Sequence, residues 1–175
     1  MKINKFFINI IFLITICFLS SESAAIMQGM STEELTQSSD LVLEGEVKEV
    51  RSYWSKDGKT IITWAVILDS YVIKGRVTQK HILVEYEGGE IGDIGFRVSD
   101  VTPLKKGEKV ILFLKTGKSK KDGHVFKIVG KGQGKYTIDN DGIARKGGFS
   151  ILSGEELIDN NIPVGELIDK IRKLQ

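Results

Sequence analysis

The sequence predicts a mainly β fold: a small closed antiparallel barrel of five to seven strands, preceded by a short helix and followed by an amphipathic one. Three observations point there. Seven runs rich in β-branched and aromatic residues succeed one another between residues 41 and 146. Asp-Gly pairs separate strand candidates at Asp57-Gly58, Asp122-Gly123 and Asp141-Gly142, and Asp-Gly supplies the positive φ angles that tight hairpins demand. The runs at 64–68 and 110–114 are apolar on both faces, so each needs cover on both sides.

The N-terminus reads as an export signal. Lys2 and Lys5 precede the apolar run from Phe6 to Leu19, and "SSESAA" follows it; a basic start, an apolar core and small residues before a cleavage point describe a secretory signal peptide. Ser23 and Ala25 suit the −3 and −1 positions, so cleavage is expected after Ala25, with residues 1–25 removed and 26–175 forming a single domain. The alternative is retention as an anchor, although a run of about 14 residues falls short of the roughly 20 that span a bilayer. Cys17 follows Ile16, where a lipobox wants Gly, Ala or Ser, and it sits inside the apolar core. Membrane contact is therefore expected only through the signal peptide before its removal, and the location is periplasmic or extracellular.

Cleavage takes with it Cys17, the only cysteine. A disulfide framework, a cysteine nucleophile and a cysteine-ligated metal are excluded for the exported chain, which must hold together by packing. Lys2, Lys5 and Glu22 also leave, so the formal charge of +2 becomes +1, with no general attraction for nucleic acid. The basic cluster Lys115 to Lys121 leads into Asp122-Gly123 and reads as a solvated hairpin tip.

Ser31 with Glu34 three residues on forms a capping box, which predicts a helix over 32–38. The strand candidates are 41–54, 60–73, 81–87, 109–115, 125–130, 134–139 and 143–146. In the first, Leu43, Gly45 and Val47 share one face and Glu44, Glu46 and Lys48 the other; Val50 then falls on the wrong side, which predicts a bulge near Lys48–Glu49. Ser153 with Glu156 is a second capping box. Pro163 suits the first turn of a helix in which Val164, Leu167, Ile168, Ile171 and Leu174 recur at helical spacing, a stripe that predicts cover for the sheet.

The stretch "EGGEIGDIG", 87–95, is dense in glycine without carrying a glycine chemistry. A dinucleotide fingerprint needs G-x-G-x-x-G opening a helix, whereas Gly88-Gly89-x-x-Gly92-x-x-Gly95 leads into "FRVSD", another strand candidate. Calcium-binding nonapeptides read G-G-x-G-x-D, and Ile91 takes the place of the third glycine. The expectation is a corner between strands. "GKGQGKY" ends in Gly134-Lys135-Tyr136 where a phosphate loop needs Ser or Thr, and "DNDG" at 139–142 lacks the ligands that should follow in a calcium loop. His81 and His124 have no partner at metal-ligand spacing, and no serine lies in a nucleophile-elbow context. No catalytic residue, metal or cofactor is expected.

Surface recognition is what is left. Tyr53, Trp54, Trp64, Tyr71, Tyr86 and Phe96 form a candidate aromatic platform of the kind small barrels use, with core packing as the competing role. The expected binding surface consists of Trp54, Trp64 and Tyr86 with the glycine-rich rim at Gly89 and Gly92.

The order of features, "SSDLVLEGEV", a long hairpin ending "YVIKG", "GGEIGDIG", "LKKGEKVILFL", "VGKGQGKYTID" and a C-terminal helix, resembles a group of exported bacterial β-barrel proteins of uncharacterised function. More distantly it is similar to the netrin-like domain of the tissue inhibitors of metalloproteases. The likeness covers Leu35 to Leu174 and is most specific at Asp40 to Val47, Lys74-Gly75 and Lys106 to Leu114. It implies an OB-like barrel and a role in binding proteins. Inhibition by the route of those inhibitors is not implied, because they chelate zinc through an N-terminal cysteine. The expected function is thus an exported, non-enzymatic module binding another exported protein such as an extracytoplasmic protease. The alternative is a carbohydrate- or small-ligand-binding barrel that uses exposed aromatics.

Overall fold

The computed structural model describes residues 27–117 and 125–175. The expected signal peptide, Cys17, the expected turn at Asp122-Gly123 and His124 lie outside the described residues. Helix α1 (Thr32–Ser38) starts where the sequence predicts: the Ser31 hydroxyl accepts from Glu34 N–H at 3.1 Å and the Glu34 carboxylate accepts from Ser31 N–H at 2.8 Å. Among the described residues ten strands follow: β1 (Leu41–Trp54), β2 (Ile61–Lys74), β3 (Ile82–Glu87), β4 (Gly89–Ile91), β5 (Ile94–Phe96), β6 (Lys109–Gly117), β7 (Val125–Ile128), β8 (Lys135–Ile138), β9 (Ile143–Arg145) and β10 (Ile162–Pro163), before helix α2 (Val164–Lys173).

The main sheet closes on itself. Strand β1 pairs with β2 along its whole length, β2 with β3, β3 with β7, β7 with β6, and β6 returns to β1 from Leu41↔Leu114 to Glu46↔Lys109. The second edge of β6 is divided, its C-terminal half bonded to β7 and its N-terminal half to β8, from which β9 and β10 extend the sheet. Asp40 locks the closure: its N–H donates to Leu114 C=O and its carboxylate accepts from Thr116 N–H, both at 2.8 Å. These bonds to the ionised form hold the Asp40 carboxyl below the usual carboxylate range, the Thr116 amide foremost.

Alternation along β1 and β6 builds two cores from one wall. Leu41, Leu43, Val47, Val110, Leu112 and Leu114 face inward with Ala65, Ile67, Ile82, Val84 and Phe126. Val42, Ile111 and Phe113 point the other way and pack with Leu35 of α1, Tyr136, and Leu167 and Ile171 of α2. The helices thus cover the face of β6 that the sequence leaves apolar. The bulge also forms where the parity slips. Val47 pairs with Ile67, Glu49 with Val66 and Val50 with Ala65, so the extra residue Lys48 restores Val50 to the inner core.

Several expectations need correction. Ten strands exceed the five to seven predicted, and the β3–β7 pairing is parallel rather than antiparallel. The run at 64–68 is not buried on both faces: Ala65 and Ile67 are core, but Trp64 is exposed. The glycine-rich stretch is no simple corner. It forms its own two-stranded sheet, β4–β5, turning at Gly92-Asp93, and of "FRVSD" only Phe96 is strand. The second capping box does not form either. Gly154 rather than Ser153 precedes a 3-10 turn at Glu155–Leu157, and no side chain caps it.

Because adjacent residues of β6 serve opposite cores, Ile111→Ala and Leu112→Ala are each expected to cost about 2–5 kcal/mol. Urea unfolding measures both. A loss below about 1 kcal/mol for either variant shows that its face is not a packed core.

Candidate functional site

A cleft of about 920 Å³ lies where the β4–β5 hairpin stands over the open end of the sheet. Val50 and Ser52 of β1, Thr63 of β2 and Tyr86 of β3 line it from the sheet, and Gly95, Phe96 and Arg97 from the hairpin side. The hairpin is seated through Gly89. The Ser52 and Thr63 hydroxyls bond each other at 2.8 Å, and Thr63 donates to Gly88 C=O. A Cβ at Gly89 would lie 2.3 Å from the Thr63 Oγ1 and 2.4 Å from the Ser52 Oγ, and its φ of +139° disfavours any side chain. Gly92 differs: it opens the two-residue turn at φ +59°, where a II′ hairpin wants glycine, and nothing lies within 4 Å of its would-be Cβ.

The loop after the hairpin is tied down by two polar anchors. The Tyr86 hydroxyl accepts from Leu104 N–H at 3.2 Å, and its burial raises the phenol above its ordinary range. Glu108 is saturated. It accepts from Lys105 N–H at 3.0 Å, from the Thr137 hydroxyl at 2.6 Å and from Lys135 Nζ, which also donates to Pro103 C=O at 2.7 Å. Burial lowers the Lys135 amine and Glu108 opposes that shift, so the pair is a satisfied internal clamp.

Lys146, at the end of β9, is not satisfied. It lines both this cleft and a second cavity of about 600 Å³ bounded by Phe149, Ile158 and Asn160. Its side chain is buried, and its Nζ is the one buried side-chain nitrogen or oxygen without a hydrogen-bond partner among the described residues. Asn160 holds the Lys146 backbone by accepting from its N–H at 2.8 Å, and the amine rests 4.4 Å from the centre of the Tyr136 ring. Burial pushes the amine down to about 7, while the Asp159 carboxylate opposes the shift.

The predicted surface residues fall into separate places. Tyr86 and Gly89 line the cleft, with Phe96, whereas Gly92 lies at the hairpin tip. Trp64 sits on the outer face of β2, 38% exposed. Its Nε1 donates to Glu85 at 2.8 Å, and Tyr53 donates to the same carboxylate oxygen at 3.1 Å, the two rings meeting edge to face at 4.7 Å. Burial, with Glu85 adding to it, raises the Tyr53 phenol. Trp54 is exposed at the end of β1. Tyr71 lies elsewhere, under the Arg172 guanidinium of α2. The aromatics therefore do not form one platform. Lys135, Glu108 and Lys146 escape sequence reasoning, since nothing in the spacing of their neighbours marks them for burial. His81 is exposed, and no group of three His, Cys, Asp or Glu side chains among the described residues is placed to hold a metal.

Lys146 has a pH signature. The folded state holds its proton less tightly than the unfolded chain does, so the group destabilises fully below about pH 7, and the penalty fades as pH rises toward 10.5. Asp159 and the Tyr136 ring face the amine and offset part of the cost, and Lys170 in turn neutralises Asp159. Lys146→Met is expected to stabilise the protein at pH 6.5 by about 1–3 kcal/mol and by less at pH 9.5. Urea unfolding at the two pH values checks this, and a variant less stable at pH 6.5 would show that the buried amine carries no cost. A scan against protein-family models and a search of curated proteins find no match, so the functional reading rests on the geometry of the cleft and its rim.

Proposed function

We propose that the chain is an exported, non-enzymatic binding protein built on an OB-like barrel, and that it takes up an extended segment of another protein along β5. The order β1-β2-β3-β7-β6 closing on β1, with β3 and β7 parallel, supports the barrel as a five-stranded Greek-key closure, with β8–β10 as an extension and β4–β5 as an insertion. The signal-like N-terminus supports export to the periplasm or beyond. An extracytoplasmic protease is the partner suggested by the resemblance to netrin-like domains. The cleft hydroxyls support a binding role over catalysis, since Ser52 and Thr63 bond each other and Gly88 C=O, and no base among the described residues is hydrogen-bonded to either.

The observation that carries the proposal is the edge of β5, which among the described residues pairs with β4 on one side and with nothing on the other. The hairpin is a sheet of its own, β5 is exposed along its whole length, and Ile94 is 54% and Phe96 37% exposed. An unpaired edge flanked by apolar side chains is a template for strand addition. The two-residue turn is closed by the Ile91–Ile94 pair, so Glu90–Gly95 is the next, non-hydrogen-bonded pair. Gly95 then presents its N–H and C=O to the free edge.

Gly95→Pro removes that outward N–H and leaves the hairpin ladder intact. Tagged protein incubated with the envelope and medium fractions of its source cells is expected to capture a defined partner that crosslinks at β5. The proline variant, with an unchanged melting temperature, is expected to lose it. Capture indifferent to Gly95→Pro, or no partner alongside turnover of a small substrate by the pure protein, overturns the proposal.

A second reading is favoured by the outer face, where Tyr53 and Trp64 share the Glu85 carboxylate on rigid strands, a surface suited to a sugar ring. Titrating tryptophan fluorescence with glycans tests it: a saturable change lost in Trp64→Ala is expected, and a flat titration removes the reading.

A further inference from the structure

Charge around the cleft is unbalanced. Arg97, Lys105, Lys135, Arg145 and Lys146 line it against two carboxylates, Glu90 and Glu108. Glu108 is spent on Lys135, Thr137 and the Lys105 N–H. Arg145 is engaged by Asp139 at 2.8 Å and by Asn161. What is left facing the cleft is Arg97, Lys105 and Lys146, opposed by Glu90. Arg97 follows directly on β5, so positive charge stands at the end of the free edge.

We propose that the segment added along β5 is acidic, and that one of its carboxylates enters the cleft to pair with the Lys146 amine. The inference rests on the strand-addition reading and names the chemistry of the partner. Lys146 is 9% exposed, and its Nζ has no acceptor among the described residues. A buried ammonium lacking an acceptor is costly, and a carboxylate is the group that supplies both charge and acceptor. The flexible lysine stem lets the amine swing from the Tyr136 ring into the cleft it already lines. A neutral amide of the same shape supplies an acceptor without the charge. Strand addition sets the spacing: side chains alternate along an added strand, so every second residue of the segment faces the same way.

The test selects short peptides from a random display library on the full chain, with Gly95→Pro as counter-selection. The selected peptide and its twin with every Asp and Glu made amide are then measured by fluorescence anisotropy. Enrichment of Asp and Glu at alternate positions is expected, with the amide twin weaker by about tenfold or more. Lys146→Met is expected to bring the acidic peptide down to the level of the twin without affecting the twin itself; circular dichroism confirms that this variant is folded. Twins of equal affinity, or an acidic peptide indifferent to Lys146→Met, overturn the choice of an acidic segment and leave strand addition standing. Failure to select any peptide overturns both. Acidic binding that survives Gly95→Pro and is competed away by acetate or phosphate at constant ionic strength assigns the cleft to a free anion and overturns the proposal. Self-association in sedimentation velocity that Gly95→Pro abolishes gives the edge to a second copy and likewise overturns it.

Discussion

The architecture depends on one strand that is apolar on both sides. From Val110 to Leu114 every side chain of β6 is fully buried, alternately into the interior of the closing sheet and under the two helices. No water-facing position exists along this stretch, so the sheet has to close around one face and the helices have to cover the other. The same strand supplies the seam: its first edge meets β1, and its second is split between β7 and β8. Losing β6 would therefore remove both cores and three pairings together, which makes closure and helix docking one cooperative event.

Around that frame the buried polar side chains of the described residues divide into those that are satisfied and one that is not. Asp40, Glu108 and Lys135 tie chain segments far apart in sequence, and each is supplied with partners. Lys74 does the same at the end of α1, its amine donating to Thr36 and Ser39 carbonyls, which complements the negative end of the helix. Lys146 departs from the pattern. Its backbone is clamped by Asn160 while its amine rests against an aromatic ring and has no hydrogen-bond acceptor among the described residues. A group that costs stability and sits between two cavities is where a binding role is most economically placed.

The hairpin makes the same point in backbone terms. A short sheet with exposed Ile94 and Phe96 beside an open edge is what soluble proteins usually avoid. Gly89 shows that the hairpin's position is built rather than incidental, because only a residue without Cβ lets it seat against Ser52 and Thr63. The packed end of the hairpin and its free β5 edge thus belong to one device.

Much of this was legible in the residues alone, where the information is local. The capping box at Ser31 and Glu34, the Lys48 bulge, the Asp-Gly turns at 57–58 and 141–142 and the apolar stripe of α2 all follow from spacings of a few residues, and each appears where that spacing puts it. The periods of two and of about 3.6 are properties of the backbone itself. What only the tertiary structure decided are meetings between distant segments: the parallel β3–β7 pairing, the standing of β4–β5 apart from the main sheet, the clamp of Glu108 on Lys135, and the burial of Lys146. A lysine in "IARKGG" reads as solvated, since nothing in its neighbours' spacing says that Tyr136 and Asn160 will close over it. Burial is set by which surfaces come together, and no local period carries that.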